Sequence, residues 1–293
     1  MTVQTKTSHL IERAARHLRG LEDLARSAPL PPAPSEEAVA QAAPLSPATA
    51  FVPPPPIELA VLEQAGMIPW GRKRDRVAEE FRLVQSQVLR QLDAAAKPGP
   101  HGASLPNLVM ITSARPNEGK SFVSLNLAAS IAHFGARQVL LVDADAKHTS
   151  LSHHLNISEQ PGLLDFGAGL TPRPETLIVP TRLETLSILP IGGVGPSRHD
   201  LAAKVSLATA IERLAHRFAP TVIVLDAPPC LSTSDPSALA PVVGQTVFVV
   251  EAERTHRGEV ESSLDLIAAC PTITLLLNKS QLTTNSTFGA YYY

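Results

Sequence analysis

The feature that most restricts the fold of this chain is a short loop between an apolar strand and an apolar helix. The strand candidate NLVMITSA (107–114) leads into the loop ARPNEGKS (114–121), and an apolar helix is predicted from Lys120 to Phe134. The loop matches the phosphate-binding pattern GxxxxGKS/T, except that Ala114 replaces the first glycine. Ala114 fits there only if its φ is negative, whereas Gly119 lets the backbone approach an anion without a Cβ clash. A chance GKS sequence is a poor alternative between a strand and a helix.

The chemistry of this loop indicates a nucleotide with Mg²⁺. A tight turn before a helix aims backbone N–H groups and the positive end of the helix dipole at a polyphosphate. Lys120 is expected to reach the β- and γ-phosphates, and the Ser121 hydroxyl to ligate Mg²⁺. The residues expected to contact the bound nucleotide are Arg115, Pro116, Asn117, Glu118, Gly119, Lys120, Ser121 and Phe122.

Short apolar strands alternate with helices from Asn107 onward. After the first strand, the candidates are residues 138–145, 186–192, 221–228, 245–252 and 273–279. Helices are predicted over residues 75–95, 120–134, 200–218, 234–243 and 257–269. Apolar strands separated by helices are typical of a parallel sheet that is covered on both faces. The predicted fold is therefore a doubly wound α/β domain with a mostly parallel sheet, over residues 70–280.

Three aspartates stand at the ends of two of these strands. Asp143 and Asp145 share one side of the second strand, because side chains alternate with a period of two. Asp226 ends the fourth strand. Ligands bind at the carboxyl edge of such sheets, and an aspartate after an apolar strand suits a Mg²⁺ ligand. Each residue alone could be a turn or capping aspartate, but the phosphate-binding loop upstream favours a functional role.

Composition excludes several classes of protein. The chain has 293 residues and a net charge of −2, and this near-neutral balance argues against a broad nucleic-acid-binding surface, which needs clustered Lys and Arg. Two cysteines form no disulfide framework, which favours a reducing compartment. No apolar run approaches the roughly 18–20 residues of a membrane-spanning helix, and the charged N-terminus is unlike a signal peptide. The expected location is the cytoplasm.

Three segments are predicted outside the α/β domain. Residues 1–27 contain an amphipathic helix that docks either on a partner or on the same chain. Residues 28–69 are rich in Pro and Ala and are predicted to be a semi-rigid linker. Residues 281–293 are predicted to be a flexible tail that ends in the three tyrosines of the chain, Tyr291, Tyr292 and Tyr293. A tail without function is the alternative, although aromatic residues are unusual on a disordered end.

Together these motifs resemble the bacterial tyrosine kinases, which are P-loop NTPases and do not share the eukaryotic kinase fold. The family's Walker A, A′ and B motifs are matched in order by SARPNEGKS (113–121), VLLVDADAK (139–147) and VIVLDAPP (222–229). The terminal tyrosines match the tyrosine-rich C-terminus of that family. Glu79 and Arg82 match its ExxRxxR oligomerisation motif. SHLIERA near the N-terminus and AEEFRLV (78–84) are similar to the autokinases of exopolysaccharide loci with an exosortase, which lack their own membrane domain.

Three departures from the family pattern are visible. Lys147 stands where the A′ motif usually has Arg, and Gln85 replaces the last Arg of the oligomerisation motif. The tyrosine tail is also short.

The resemblance implies transfer of the ATP γ-phosphoryl group to tyrosine, with Mg²⁺ as the metal. A tyrosine hydroxyl has a pKa of about 10, so the reaction benefits from a general base. Asp143 is the first choice for that base, but the choice between Asp143 and Asp145 stays open. Asp145 and Asp226 are then expected to organise Mg²⁺. Asn278 is a candidate for the adenine edge by resemblance only.

The resemblance also implies partners. A separate membrane-anchored chain-length-determinant protein is the expected activator, which would recruit the chain to the inner face of the membrane. A homo-oligomer is left open, and no nucleic acid is expected.

Two other functions remain as alternatives. One is a partitioning or septum-site type switch ATPase, a group that has a second lysine at the position of Arg115. The other is an ATP-binding scaffold with little catalysis.

Overall fold

The computed structural model describes residues 53–69, 76–95, 105–135, 137–146, 150–193 and 197–280. The helices in these residues are α1 (Leu59–Gln64), α2 (Arg76–Ala95), α3 (Lys120–Phe134), α4 (Leu151–His154), α5 (Leu163–Gly167), α6 (Ser197–Lys204), α7 (Leu207–Arg217), α8 (Asp235–Leu239) and α9 (Arg257–Leu266). The strands are β1 (Leu105–Ser113), β2 (Val139–Asp143), β3 (Val179–Pro180), β4 (Leu186–Leu189), β5 (Val222–Asp226), β6 (Val243–Glu251) and β7 (Ile273–Asn278). The predicted N-terminal helix and the tyrosine tail lie outside the described residues.

The strands form one seven-stranded sheet in the order β3-β4-β2-β5-β1-β6-β7. All neighbours pair in parallel except β3, which pairs antiparallel with β4 at one edge. The last residues of β2 and β5, Asp143 and Asp226, are paired in the register. The prediction of a mostly parallel, doubly wound sheet is confirmed, and two of the three predicted aspartates meet at its carboxyl edge.

Two apolar layers cover the sheet, as the continuous apolar strands require. Alternate residues of β1 face opposite layers. Val109 and Ile111 pack into the layer that contains α2 and α3, whereas Leu108 and Met110 pack into the layer that contains α5 and α7. All four side chains are fully buried. The central position of β1 fixes the loop that follows it at the middle of the carboxyl edge.

Two predicted helices differ from the structure. The helix predicted over residues 200–218 is divided into α6 and α7, because Ser206 caps α7 by accepting a hydrogen bond from the Thr209 N–H. The helix predicted over residues 234–243 is shorter, since β6 already begins at Val243. The short edge strand β3 and the helices α1, α4 and α5 were not predicted.

Part of the predicted linker packs against the sheet domain. Ile57, Leu62, Met67 and Ile68 are buried in the same apolar layer as α2 and α3. The Ile57 N–H donates to the Pro180 carbonyl at 2.9 Å, and the Ile68 N–H donates to Asn126 Oδ1 at 2.8 Å. Residues 57–68 therefore belong to the folded domain, although the proline-rich sequence before them concealed this. In the part of the chain that the structure describes, no helix is both long and apolar enough to cross a membrane.

Candidate nucleotide site

The loop between β1 and α3 has the backbone of a phosphate-binding turn. Gly119 lies at φ 97° directly before α3, and Asn117 lies at φ 67°. Glycine is needed at the first of these positions, because a Cβ there would lie 2.1 Å from Asn278 Nδ2. Ala114 is not among the described non-glycine residues with positive φ, so the condition on its backbone is met. The loop therefore directs the N-terminus of a 15-residue helix at one point of the sheet edge.

Hydrogen bonds within the loop, from the segment after β6 and from the end of β7 hold the loop in this shape. The Glu118 carboxylate accepts from the Arg115 N–H at 2.8 Å and from the Thr255 hydroxyl. Asn278 Nδ2 donates to the Glu118 carbonyl at 2.9 Å, and Lys279 Nζ donates to the Asn117 carbonyl at 2.6 Å. Glu118 was predicted as a nucleotide contact. Its buried carboxylate ties the loop to the segment that follows β6.

The predicted lysine and the three predicted aspartates lie together. Lys120 Nζ is 2.9 Å from Asp145 Oδ2 and 3.9 Å from Asp226 Oδ1. It also lies 3.4 Å from the Ser121 hydroxyl. Asp143, Asp145 and Asp226 are all buried, and Asp143 and Asp226 are fully so. The sequence thus predicted which side chains meet, from strands that are adjacent in the sheet.

Asp143 is held by donors on both carboxylate oxygens. Its Oδ1 accepts from the Asp145 N–H at 3.1 Å, and its Oδ2 accepts from the Ser152 N–H at 2.8 Å and the Ser152 hydroxyl at 2.6 Å. Burial raises the pKa of Asp143 to about 6, with a further contribution from the charge of Asp226, although the Ser152 hydrogen bonds oppose the shift. Ser152 was not predicted, because a lone serine in a four-residue helix carries no motif.

Lys120 and Asp226 are coupled charges. Burial lowers the pKa of Lys120, but the carboxylates of Asp226 and Asp145 outweigh it, and the net shift is upward. Burial raises the pKa of Asp226, while Lys120 opposes that shift. A protonated lysine therefore stands at the centre of the carboxylate group.

One carboxylate oxygen of Asp226 receives no hydrogen bond from the described residues. Its Oδ1 accepts from the Ser124 hydroxyl at 3.0 Å, whereas its buried Oδ2 has no hydrogen-bond partner. Buried polar atoms without a partner are uncommon in folded proteins and call for a ligand. Mg²⁺, or a water bound to it, satisfies an oxygen of this kind. Asp226 is therefore a suitable ligand for the metal that the sequence predicted.

The Arg115 side chain is directed to α9. Its Nε lies 2.7 Å from Glu259 Oε1. The other carboxylate oxygen of Glu259 accepts from the His256 N–H at 3.0 Å, at the N-terminus of α9. Arg115 thus joins the phosphate-binding loop to the same part of the chain that Glu118 contacts.

The residues of the predicted oligomerisation motif are divided between surface and core. Glu79 and Arg82 are exposed on α2 and form an ion pair at 3.1 Å. The Arg82 guanidinium also lies 4.7 Å from the centre of the Phe134 ring. Gln85 is buried, and its side-chain amide is hydrogen-bonded to the Ser130 hydroxyl on α3 at 2.7 Å. Lys147 and the predicted acceptors Tyr291, Tyr292 and Tyr293 lie outside the described residues.

The loop, the buried lysine and the aspartates at the edge of a parallel sheet have the arrangement of the P-loop NTPase fold. No protein-family model matches the sequence. The chain is 26% identical to the putative tyrosine-protein kinase CapB of Staphylococcus aureus, over 75% of this chain and 92% of CapB. It is 33% identical to the succinoglycan biosynthesis transport protein ExoP of Rhizobium meliloti, over 60% of this chain and 22% of ExoP. The chain thus spans nearly all of CapB but about a fifth of longer relatives.

Solved structures share the fold. The kinase domain of the Escherichia coli tyrosine kinase ETK superposes with a TM-score of 0.56 at 22% identity, over 76% of this chain and 86% of that domain. The BceF tyrosine kinase domain superposes with a TM-score of 0.56 at 23% identity, over 70% of this chain and 79% of that domain. The predicted resemblance is confirmed, since relatives such as CapB are named as tyrosine-protein kinases and the solved neighbours show that the fold is shared.

Proposed function

We propose that this chain is a protein-tyrosine autokinase that transfers the γ-phosphoryl group of ATP to its C-terminal tyrosines and regulates exopolysaccharide synthesis or export. Its relatives are named as tyrosine-protein kinases, and one is named for succinoglycan biosynthesis and transport. The observation that carries the proposal is the position of Lys120, a residue of the phosphate-binding loop whose Nζ lies 2.9 Å from Asp145 and 3.9 Å from Asp226.

The site residues would divide the work of phosphoryl transfer. The N–H groups of the loop bind the phosphates, and Lys120 neutralises charge on the group that is transferred. Ser121, Asp145 and Asp226 would hold Mg²⁺, which would supply further neutralisation of the phosphate charge. These contributions are electrostatic and positional, which is what this reaction requires of a protein.

Asp143 is the proposed general base. Its pKa of about 6 places proton uptake near neutral pH, where a base is most effective. Asp145, by contrast, is engaged by the Lys120 ammonium at 2.9 Å. In the proposed step, the tyrosine proton passes to an Asp143 carboxylate oxygen and the hydroxyl oxygen bonds to the γ-phosphorus, while the bond from that phosphorus to the β,γ-bridging oxygen breaks and ADP leaves.

Activation and assembly belong to the same proposal. A membrane-anchored chain-length-determinant protein is proposed as the activator, with the chain working in the cytoplasm at the inner face of the membrane. The exposed pair of Glu79 and Arg82 on α2 is the proposed contact between subunits. Asn278, whose Nδ2 donates to the Glu118 carbonyl at 2.9 Å, is proposed for the adenine edge on the family resemblance alone.

The switch ATPase is the second candidate, and one contact speaks against it. That function needs a second basic residue of the loop that is available to a nucleotide site. Arg115 stands at this position, but its Nε is paired with Glu259 of the same chain at 2.7 Å. The terminal tyrosines would also be left without a role.

Intact-mass measurement after incubation with ATP and Mg²⁺ tests the proposal. The wild type is compared with Lys120→Met and with a variant in which Tyr291, Tyr292 and Tyr293 are all changed to Phe. We expect added phosphate on the wild type alone. Hydrolysis of ATP without added phosphate would favour the switch ATPase, and nucleotide binding without hydrolysis would favour the scaffold. The measurement is made on the chain by itself and on the chain co-expressed with the proposed chain-length-determinant protein.

A further inference from the structure

The end of β7 contacts the phosphate-binding loop through two consecutive residues. Asn278 Nδ2 donates to the Glu118 carbonyl at 2.9 Å, and Lys279 Nζ donates to the Asn117 carbonyl at 2.6 Å. Lys279 also pairs with Glu251 Oε1 at 3.2 Å, which fixes its ammonium group from the side of β6. The two carbonyls that receive these bonds belong to adjacent peptide groups.

The orientation of these two peptides decides whether the loop can bind an anion. In a trans peptide the carbonyl and the N–H of the next residue point in opposite directions. When the Asn117 carbonyl is drawn to Lys279, the Glu118 N–H points the other way. The Glu118 carbonyl and the Gly119 N–H are related in the same manner through Asn278. A flip of either peptide would turn a carbonyl oxygen toward the phosphates, where it would repel them.

The backbone angles show that these peptides need support. Asn117 lies at φ 67° and Gly119 at φ 97°, on either side of Glu118. Residues in this region form anion-binding concavities, but the conformation is strained for a non-glycine residue. Lys279 itself lies at φ 58°, which is equally unusual at the end of a strand. Strained backbone on both sides of a contact indicates a geometry that the surrounding bonds maintain.

We propose that Lys279 and Asn278 are positioning residues that hold the Asn117 and Glu118 carbonyls outward, so that the loop is preformed for the phosphates of the nucleotide. Lys279 has no other role in the proposed mechanism. Asn278 then acts on the phosphate side of the nucleotide, in addition to any contact with adenine. The inference rests on the nucleotide-binding part of the proposed function and does not depend on tyrosine phosphorylation.

The test measures binding of two ligands by calorimetry in the presence of Mg²⁺. ADP has phosphates and adenine, whereas pyrophosphate has phosphates alone. Lys279→Met is expected to bind both ligands about tenfold more weakly. Both ligands bind through the loop, and this variant lacks the charged hydrogen bond that orients the loop. Asn278→Ala is expected to weaken both as well. Lys279→Arg keeps a cationic donor and should restore most of the affinity.

Controls separate positioning from general damage. Lys204→Met removes an exposed lysine from α6 and should bind as the wild type does. Lys279→Met loses two contacts and should melt somewhat lower than Lys204→Met, but both variants should be fully folded at the temperature of the binding measurement. If Lys279→Met does not fold, the pyrophosphate affinity of Asn278→Ala decides the question.

Three results would overturn the inference. The first is a Lys279→Met variant that binds both ligands within twofold of the wild type. The second is an Asn278→Ala variant that loses affinity for ADP but not for pyrophosphate, since that pattern indicates an adenine contact. The third is a fall in the ligand-free melting temperature that accounts for the lost affinity. A wild type that binds neither ligand would instead refute the proposed function itself.

Discussion

Gly119 is the loop residue that tolerates least change. It lies at φ 97°, and an added Cβ would lie 2.1 Å from Asn278 Nδ2. We expect Gly119→Ala to lower the free energy of unfolding by about 1–3 kcal/mol and to weaken ADP binding at least tenfold, since the loop must shift. Denaturant unfolding and calorimetry measure the two effects.

Gly258 provides a matched control for that substitution. It lies in α9, has no positive φ, and an added Cβ would meet nothing within 4 Å. Gly258→Ala should therefore leave ADP binding unchanged and raise stability by up to about 1 kcal/mol. Equal losses of ADP binding in the two variants would contradict the role given to Gly119.

Asp143 should make the protein less stable as the pH rises. Its pKa is raised from 3.8 to about 6 in the folded state, so the folded state binds its proton more tightly than the unfolded state does. The resulting stabilisation is fully present below pH 3.8 and is lost as the pH rises through about 6. Asn at this position cannot titrate. Between about pH 5 and pH 7.5, Asp143→Asn should gain roughly 1–2 kcal/mol relative to the wild type.

The difference between variant and wild type is the quantity to measure, because other groups titrate in both proteins. Urea unfolding at the two pH values gives it directly. Asp265→Asn, an exposed site on α9, should show no comparable gain. A difference for Asp143→Asn that does not change with pH would show that the Asp143 carboxyl does not titrate in this range.

At the scale of elements, the interface of α2 and α3 explains one departure from the family pattern. Gln85 faces α3 and is hydrogen-bonded to Ser130, whereas Glu79 and Arg82 face solvent. An arginine at position 85 would have to bury its charge or displace the helix. Gln85→Arg is therefore expected to cost about 2–4 kcal/mol of stability and not to promote assembly, although it completes the ExxRxxR pattern.

Gln87→Arg is the matched control, since it makes the same change at an exposed position of α2. Its stability should stay within about 0.5 kcal/mol of the wild type. Urea unfolding and sedimentation measure stability and assembly. A larger oligomer formed by Gln85→Arg, with stability unchanged, would show that Gln85 lies at the subunit contact instead.

The elements show which information the sequence carries. Six of the seven strands and the helices α2, α3 and α9 were predicted, because buried strands are apolar throughout and these helices are long enough to show a period. The two-residue strand β3 and the short helices α1, α4 and α5 were missed, since four to six residues are too few for a periodic signal. The same holds for residues 57–68, whose apolar positions follow a proline run.

The residues of the site also fall into those that the sequence predicts and those that it does not. The loop, Lys120 and the aspartates were predicted because a motif or a strand end marks each of them. Thr255 and Ser152 were not, since their contacts with Glu118 and Asp143 join segments 137 and 9 residues apart. A hydroxyl that supports a site residue leaves no pattern in a single sequence. The position of Gln85 toward the core was hidden for a related reason, because a polar residue in an amphipathic helix suggests solvent.

At the scale of the whole molecule, the residues that lead into the C-terminal tail lie next to the phosphate-binding loop. Lys279 lies 2.6 Å from the loop carbonyl of Asn117, and Tyr291 is 12 residues further along the chain. That length spans at most roughly 40 Å. The reach suits the site of the same chain or that of a neighbour, and the family resemblance favours transfer between chains.

A mixture of two variants distinguishes these routes. Lys120→Met keeps its tyrosines but lacks the catalytic lysine, and the variant with Phe at positions 291, 292 and 293 keeps the lysine but lacks acceptors. Transfer between chains should place phosphate on the Lys120→Met chain in the mixture, although neither variant is modified alone. Intact-mass measurement separates the two chains, and dilution should slow the reaction because the chains must meet. Unmodified chains in the mixture, under conditions that phosphorylate the wild type, would establish transfer within one chain.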